Sequence, residues 1–357
     1  MKPDLNETIN LLQQLIKTES FSGSEDGTAD ILESFLDSKR INTNRLKNNV
    51  WAIHPNYDPA RPTVLLNSHH DTVRPNDGWT RNPFDPAMED DKLYGLGSND
   101  AGGPAVSLIS TFLYFCEQKK MPYNLILAIT AEEETSGENG ISLLLPELGQ
   151  LDLAIVGEPS GMQMAIAERA AMILDFVVRG KSGHAARDVG INAIDKAVKD
   201  IRWFQTYQFP KTSERLGSIK MTVTMIHAGI QHNVIPDMCK FTVDVRVTDA
   251  YTNQEVLDII QKNVQSEVIP RSVQLEASRL PDDHPLMNAA QSLGIEMVAS
   301  PTSSDQGLIS APSVKIGPGD SNRSHTADEY IKISEIEAGI DRYIRLLEIL
   351  RFEKVEI

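Results

Sequence analysis

The sequence predicts an α/β protein interrupted by a smaller α+β domain. Three observations carry this. Short apolar runs alternate with helical stretches up to about residue 163; a strand–helix–strand–strand–helix–strand order follows over 164–277; and the first rhythm resumes after Pro281. Alternating strands and helices imply a mixed, mostly parallel sheet with helices on both faces. The intervening order is that of a ferredoxin-like sandwich. The expected organisation is a discontinuous domain, 1–163 with 278–357, and an inserted domain, 164–277. A chain of 357 residues is long for one core, which agrees with two domains.

Each element has its own signal. Ile9, Leu12, Leu15 and Ile16 recur at helical spacing in 5–17, and Ile31, Leu32 and Phe35 do so from 28 to 36. Strands are expected at 50–53 and 63–67, a turn at Asn76-Asp77-Gly78-Trp79, and a strand at 92–97. Asp100-Ala101-Gly102-Gly103 is expected to open a helix running to about Phe115. The continuous apolar run 125–130 suits a central parallel strand. A helix at 140–145 and a strand at 153–156 complete the first part. In the insertion, strands are expected at 172–178, 219–226, 239–247 and 273–277, with helices at 193–204 and 254–264. A helix at 285–293, a strand at 313–316 and a last helix at 333–350 close the chain.

Composition narrows the function. A net charge of −16 argues against nucleic acid and anionic membranes as partners. Cys116 and Cys239 have no Cys or His at ligand spacing, so both read as buried free thiols of a reducing compartment. The stretch Met-Lys-Pro-Asp-Leu-Asn-Glu lacks the apolar region of a signal peptide, and no apolar run approaches a membrane span. A cytoplasmic location is the expectation.

The chemistry concentrates at strand ends. His69, Asp100, Glu134 and Glu158 each lie just past a predicted strand, and His325 follows the Gly317-Pro318-Gly319-Asp320 loop. In open α/β sheets, ligands bind at the carboxyl ends of strands. Taken alone, Asp100 reads as a helix N-cap and Glu158 as a turn before proline. Taken together, so many acids at one edge repel one another unless a cation neutralises them. Imidazole and carboxylate without thiolate suit Zn²⁺, with Co²⁺ or Mn²⁺ as alternatives.

These residues resemble the co-catalytic zinc peptidases and deacylases that include acetylornithine deacetylase, succinyl-diaminopimelate desuccinylase and aminoacylase. The matching pieces are Ser68-His69-His70-Asp71-Thr72-Val73, Gly95-Leu96-Gly97-Ser98-Asn99-Asp100 and Thr130-Ala131-Glu132-Glu133-Glu134-Thr135-Ser136-Gly137. Gly157-Glu158-Pro159-Ser160, Gly183-His184-Ala185, Asn233-Val234-Ile235-Pro236-Asp237 and Ser324-His325-Thr326-Ala327-Asp328-Glu329-Tyr330 complete the set. The resemblance implies a zinc-peptidase-like catalytic domain with two zinc ions per chain, for which Co²⁺ substitutes. His69 and Glu158 hold one ion, Glu134 and His325 the other, and Asp100 bridges them. Asp71 orients His69. Glu133 is the general base, with Glu132 as the alternative, because the family's Asp-Glu-Glu here reads Glu-Glu-Glu. His70 is expected to support the site from behind rather than to bind metal. His54, His227, His232 and His284 match no ligand position.

For the insertion the resemblance implies a lid and dimerisation domain. His184 would stabilise an oxyanion in the partner subunit of a homodimer. Asn233, Arg246 and Gly319 are candidates for substrate binding, Arg246 because a guanidinium fits a carboxylate bidentately. The implied activity is removal of an acetyl or succinyl group from an N-acyl-L-amino acid. Asn76-Asp77-Gly78-Trp79-Thr80-Arg81-Asn82-Pro83-Phe84 and the segment around His325 look most like the acetylornithine deacetylases of arginine biosynthesis. Succinyl-diaminopimelate desuccinylase and a di- or aminopeptidase on the same scaffold are the alternatives. A non-catalytic metal-binding protein would lack a base where Glu133 stands.

Overall fold

The computed structural model describes residues 3–118, 120–187 and 189–352. The chain divides into two compact units, Met1–Ile166 with Arg279–Val298 and Ser304–Ile357, and Ala167–Ser278 with Ala299–Ser303.

The first unit is built on a mixed sheet. Its strands lie in the order Thr43–Leu46, Asn49–Ile53, Asn124–Thr130, Thr63–His69, Leu153–Val156, Ser313–Lys315, Met164–Glu168. The four strands from Asn124–Thr130 to Ser313–Lys315 are mutually parallel, and the flanking strands run antiparallel. Both faces of the parallel strands are covered. Val64 and Leu66 join the cluster of Leu12, Leu32, Phe112 and Leu347, while Leu65 joins Ile141, Leu144 and Ile309 on the other side. Continuous apolar runs are what two-faced burial requires. Helix Gly103–Cys116 is buried over most of its length, so it is apolar nearly all round.

One element departs from expectation in a way that matters. The strand expected over 92–97 stops at Tyr94, and the helix expected from Asp100 starts at Gly103. Gly95 (φ +147°) and Gly97 (φ +72°) turn the chain in conformations open to glycine. A Cβ on Gly97 would lie 2.5 Å from the Thr72 methyl. Asp100 then sits at φ −121°, ψ 99° inside a wide turn over Ser98–Gly102. It caps no helix, and its carboxylate turns to His69 instead.

The second unit is a four-stranded antiparallel sheet in the order Lys220–Ala228, Met238–Val247, Ala170–Arg179, Glu267–Leu275, with helices Ala193–Thr206 and Asn253–Asn263. Numbered along the chain this is 4-1-3-2 read from the other end, the ferredoxin-like arrangement. Phe176 and Phe241 stack at 4.6 Å, and Phe204 meets Phe176 edge-on at 5.1 Å. The helices are capped by Asn192 and by the Thr252/Glu255 capping box. The last strand begins at Glu267, earlier than the expected 273, and contains Pro270. It pairs on one side only, where a missing N–H is tolerated.

Candidate metal centre

The parallel register places several strand ends side by side. His69 pairs with Thr130 and Asn67 with Val156, so the exits of these strands share one edge of the sheet. His69 is the last residue of its strand. Glu133 and Glu134 lie in the short turn Glu133–Thr135 after Thr130. Glu158 stands two residues past Val156.

His69 is the hub. It is 1% exposed, and its Nε2 faces Asp100 Oδ1 at 3.3 Å, Glu158 Oε1 at 3.7 Å and Glu133 Oε2 at 3.8 Å. Its Nδ1 lies 3.0 Å from the Asp71 carbonyl and 3.3 Å from Asp71 Oδ1, which orients the ring. The Asp71 carboxylate does more. It accepts from the main-chain N–H of Glu133 at 3.0 Å and Glu134 at 3.1 Å, and from Ser22 Oγ at 2.7 Å. One carboxylate thus fixes both the imidazole and the acidic turn. On the other side, His325 Nε2 lies 3.0 Å from Glu134 Oε2 and 3.7 Å from Asp100 Oδ2. Asp100 therefore turns one oxygen to each imidazole.

The electrostatics are those of crowded acids. Burial raises Glu158 to about 8, with the Asp100 and Glu134 charges adding to it. Burial also holds Glu133 well above the usual carboxylate range, reinforced by Glu158, Asp305 and Glu134. His69 is raised: burial opposes the charge, but Glu133, Asp100, Asp71 and Glu158 outweigh it. The Glu134 hydrogen bond lifts His325 to about 9. Donor atoms of His69, Asp100 and Glu134, and of His69, Glu133 and Glu158, lie within 4.8 Å of one another. Hard oxygens with imidazole nitrogens, in a cluster that must otherwise hold protons, fit a divalent cation.

His70 has no nitrogen to spare. Nε2 lies 2.9 Å from the Asn48 carbonyl, so it must donate, and Nδ1 lies 2.8 Å from Thr28 Oγ1. Burial lowers its pKa to about 4, so the ring is neutral. Gly319 (φ +98°) passes against Asn99, whose Oδ1 would lie 2.5 Å from an added Cβ. Of the remaining histidines, His54 bonds the Phe115 carbonyl at 2.9 Å, and His284 caps helix Pro285–Ser292. Cys239 is buried, while Cys116 is only half-buried.

Two buried acids at this site have no counterpart in the strand-end reasoning. Asp305, 3% exposed, accepts from Thr130 Oγ1 at 2.9 Å, and burial lifts it to about 7. Glu329 accepts three main-chain N–H groups from the segment carrying Asp100. Burial and the Asp100 charge lift it to about 8. Glu329 lies within the quoted Ser324–Tyr330 motif, which was the available signal. Asp305 follows a serine run with no periodicity to single it out.

The second unit holds the other candidates. His184 is exposed on the two-residue pairing Gly183–His184 with Val234–Ile235, and Ala185 N–H donates to the Asn233 carbonyl at 3.0 Å. Asn233 Oδ1 is a buried acceptor with no hydrogen-bond partner. Arg246 grips Asp244 bidentately, at 2.8 and 2.9 Å.

Comparison with known proteins places this arrangement. A succinyl-diaminopimelate desuccinylase of Cereibacter sphaeroides is 24% identical over 374 residues, covering 96% of this chain and 98% of the relative. An acetylornithine deacetylase of Shigella sonnei is 26% identical over 388 residues, covering 97% and 98%. The crystal structure of the aminopeptidase PepT of Bacillus cereus shares the fold, with a TM-score of 0.77, 18% identity and coverage of 98% of this chain and 100% of that one. The model of peptidase family M20/M25/M40 matches residues 65–349, which run from the His69 strand to the last helix, and the chain belongs to that family of hydrolases.

Proposed function

We propose that the chain is a divalent-metal-dependent amidohydrolase that removes an acetyl or succinyl group from an N-acyl-L-amino acid, with N-acyl-L-ornithine of arginine biosynthesis as the leading substrate. The observation that carries the reading is Asp100, whose Oδ1 faces His69 at 3.3 Å and whose Oδ2 faces His325 at 3.7 Å. A carboxylate so placed is suited to be shared by two cations. His69 and Glu158 would hold one ion and Glu134 and His325 the other, as Zn²⁺ with Co²⁺ able to substitute. When bound, such ions supply Lewis acidity and a reactive water near neutral pH.

The chain's own residues supply the rest. Glu133, with its proton affinity raised by burial, takes a proton from the attacking water and returns it to the leaving amine. Asp71 keeps the base and His69 in register, because it binds the Glu133 N–H and the imidazole together. His184, acting across a homodimer formed through the inserted domain, would stabilise the oxyanion. The unpaired Asn233 Oδ1 supports a substrate-binding role for that residue. The reading is of a cytoplasmic enzyme with small-molecule partners; among the described residues no helix is long and apolar enough to cross a membrane.

The desuccinylase activity named for the Cereibacter relative is the second reading, since that relative is matched over the same length as the deacetylase. Peptidase activity, as named for the Bacillus cereus neighbour, is the third. A substrate panel decides among them: N-acetyl-ornithine, N-succinyl-ornithine, N-succinyl-diaminopimelate, N-acetyl-citrulline and dipeptides, each with Zn²⁺ or Co²⁺. Turnover of N-acyl-ornithine above the others is expected. Preference for a dipeptide would overturn the deacylase reading.

A further inference from the structure

Two segments more than 200 residues apart meet at one buried carboxylate. Glu329 is 2% exposed. Its Oε1 accepts from the main-chain N–H of Asn99 at 2.8 Å and of Asp100 at 2.9 Å, and its Oε2 accepts from Gly97 N–H at 3.1 Å. Its own carbonyl accepts from Gly95 N–H at 3.0 Å. One residue therefore holds the 95–100 segment at four points. The strand that follows it, Tyr330–Lys332, pairs with Lys92–Tyr94, which leads into the same segment.

The grip suits a carboxylate, with acceptors on both oxygens, rather than an amide. Three N–H groups converge where Gly97 turns at φ +72°, and such a cradle of amides stabilises negative charge. An ionised carboxylate presents acceptors on both oxygens. An amide would offer one oxygen and set its NH₂ against an N–H, donor to donor. The place of the grip matters equally. Asp100 is held through its own N–H, and His325, four residues before Glu329, stands at φ +59° on the loop that Glu329 ends. These are the two residues whose side chains face each other across 3.7 Å.

We propose that Glu329 is a positioning residue of the metal centre: its carboxylate locks the Asp100 segment to the loop carrying His325, so that both sides of the shared carboxylate keep one geometry. This rests on the two-ion reading above. Glu329 touches neither substrate nor reacting atoms and acts through Asp100 and His325.

The test uses the full chain, stripped with chelator, as wild type and as Glu329→Gln. Amide hydrogen exchange is measured on the metal-free proteins, and Co²⁺ is titrated with its visible absorption as the readout. In Glu329→Gln the amides of 97–100 are expected to exchange faster while those of Ala170–Arg179 do not change. Co²⁺ affinity should fall about 10- to 100-fold, most for the weaker ion. Wild-type exchange at 97–100 with two wild-type Co²⁺ affinities would overturn the proposal. So would faster exchange throughout the chain, which marks a general loss of stability. If Glu329→Gln does not fold, Glu329→Asp keeps the charge one methylene short and should weaken Co²⁺ binding less than a hundredfold. Unaltered Co²⁺ binding in Glu329→Asp, with its 97–100 amides loosened, would equally overturn it. Wild type that binds no Co²⁺ would sink the two-ion reading alone, because the exchange measured without metal still reports on the lock.

Discussion

The two units present their chemistry in opposite states. In the first, five residues from 69 to 325 converge on one edge of a sheet with their donor atoms already facing one another. In the second, His184 is exposed on a two-residue pairing, Asn233 keeps an unpaired oxygen, and Arg246 is occupied by Asp244. The first unit gathers its candidate donors into one cluster. In the second, His184 accepts from the Ala186 N–H beside it, Arg246 is held by Asp244, and Asn233 Oδ1 alone of the three has no partner. Strand ends in a parallel sheet are fixed by the core beneath them, whereas His184 stands on a two-residue pairing.

The largest expected effect tests the first unit. Glu133→Gln keeps size and removes the proton acceptor. It should lower kcat by at least about 100-fold while leaving metal content near that of the wild type. Metal analysis beside steady-state kinetics checks it. Since Glu133 also stands within 4.8 Å of His69 and Glu158 donors, loss of metal along with activity would make it a ligand rather than a base. A dead Glu132→Gln with an active Glu133→Gln would shift the assignment by one residue.

The second unit is tested by His184→Ala. Removing one oxyanion donor typically costs about 100- to 1000-fold in kcat. The loss should fall on kcat more than on KM, and metal content should stay as in the wild type. Mixing His184→Ala with Glu133→Gln sharpens this. If His184 works across a dimer, exchanged subunits give one site with both defects and one with neither. Activity should then return, up to about a quarter of wild type after random exchange. No regain after verified subunit exchange would mean that His184 acts within its own chain or not at all.

The same contrast explains what the sequence revealed. Apolar runs with β-branched residues marked the central strands because they are buried on both faces, and His69, expected just past the strand over 63–67, is the last residue of the strand Thr63–His69. The ferredoxin-like order was readable because its strands and helices are long and strongly periodic. Signals failed where backbone conformation overrode pattern. Asp100 looked like a helix cap, but two glycines turn the chain and delay the helix to Gly103. Pro270 hid the first part of an edge strand. Asp305 was invisible as a site residue and Glu329 was marked only by its place in the His325 motif, because their importance lies in burial and in contacts with distant segments, which no local spacing encodes.

A third, smaller effect concerns the cost of the site without its ions. Three acids and one histidine carry values raised to between about 7 and 9, and Glu133 and His69 are raised in the same direction. Glu158 and Glu329 are raised to about 8, Asp305 to about 7, and Glu133 is raised by burial. An acid with a raised folded pKa binds its proton more tightly when folded, so folding loses stability as pH climbs from the unfolded value through the folded one. His325, raised to about 9, contributes stability that is present below about 6.5 and is lost as pH rises through the folded value. Both signs agree. Asp71 and Asp100 are lowered, so their contributions vary only in acid. The metal-free protein should therefore lose Tm from pH 6.5 to 9. Excess Zn²⁺ should shrink that loss, because a divalent ion replaces the protons. Calorimetry across this range decides it, and a flat metal-free Tm would mean that the crowded acids carry no such cost.

The smallest effect returns to the second unit. Arg246 and Asp244 lie two apart on strand Met238–Val247, on one face, joined by two hydrogen bonds. Their side chains are 32% and 25% exposed, so the pair itself is worth at most about 1 kcal/mol. With Nε and Nη2 on Asp244, Arg246 keeps its Nη1–Nη2 edge for a substrate carboxylate, whose charge the neighbouring Asp244 carboxylate repels. Asp244→Asn removes the competing charge and should change Tm little. If Arg246 binds substrate, KM for an N-acyl amino acid should fall by a factor of a few while kcat holds, because the Asp244 charge no longer repels the substrate carboxylate. Arg246→Met should then raise KM by a larger factor, since it removes the group altogether. If Arg246 only braces the strand, neither substitution moves KM, and both shift Tm by a similar small amount. Paired measurement of KM and Tm on the two variants separates these outcomes, and the double variant shows whether the effects depend on each other.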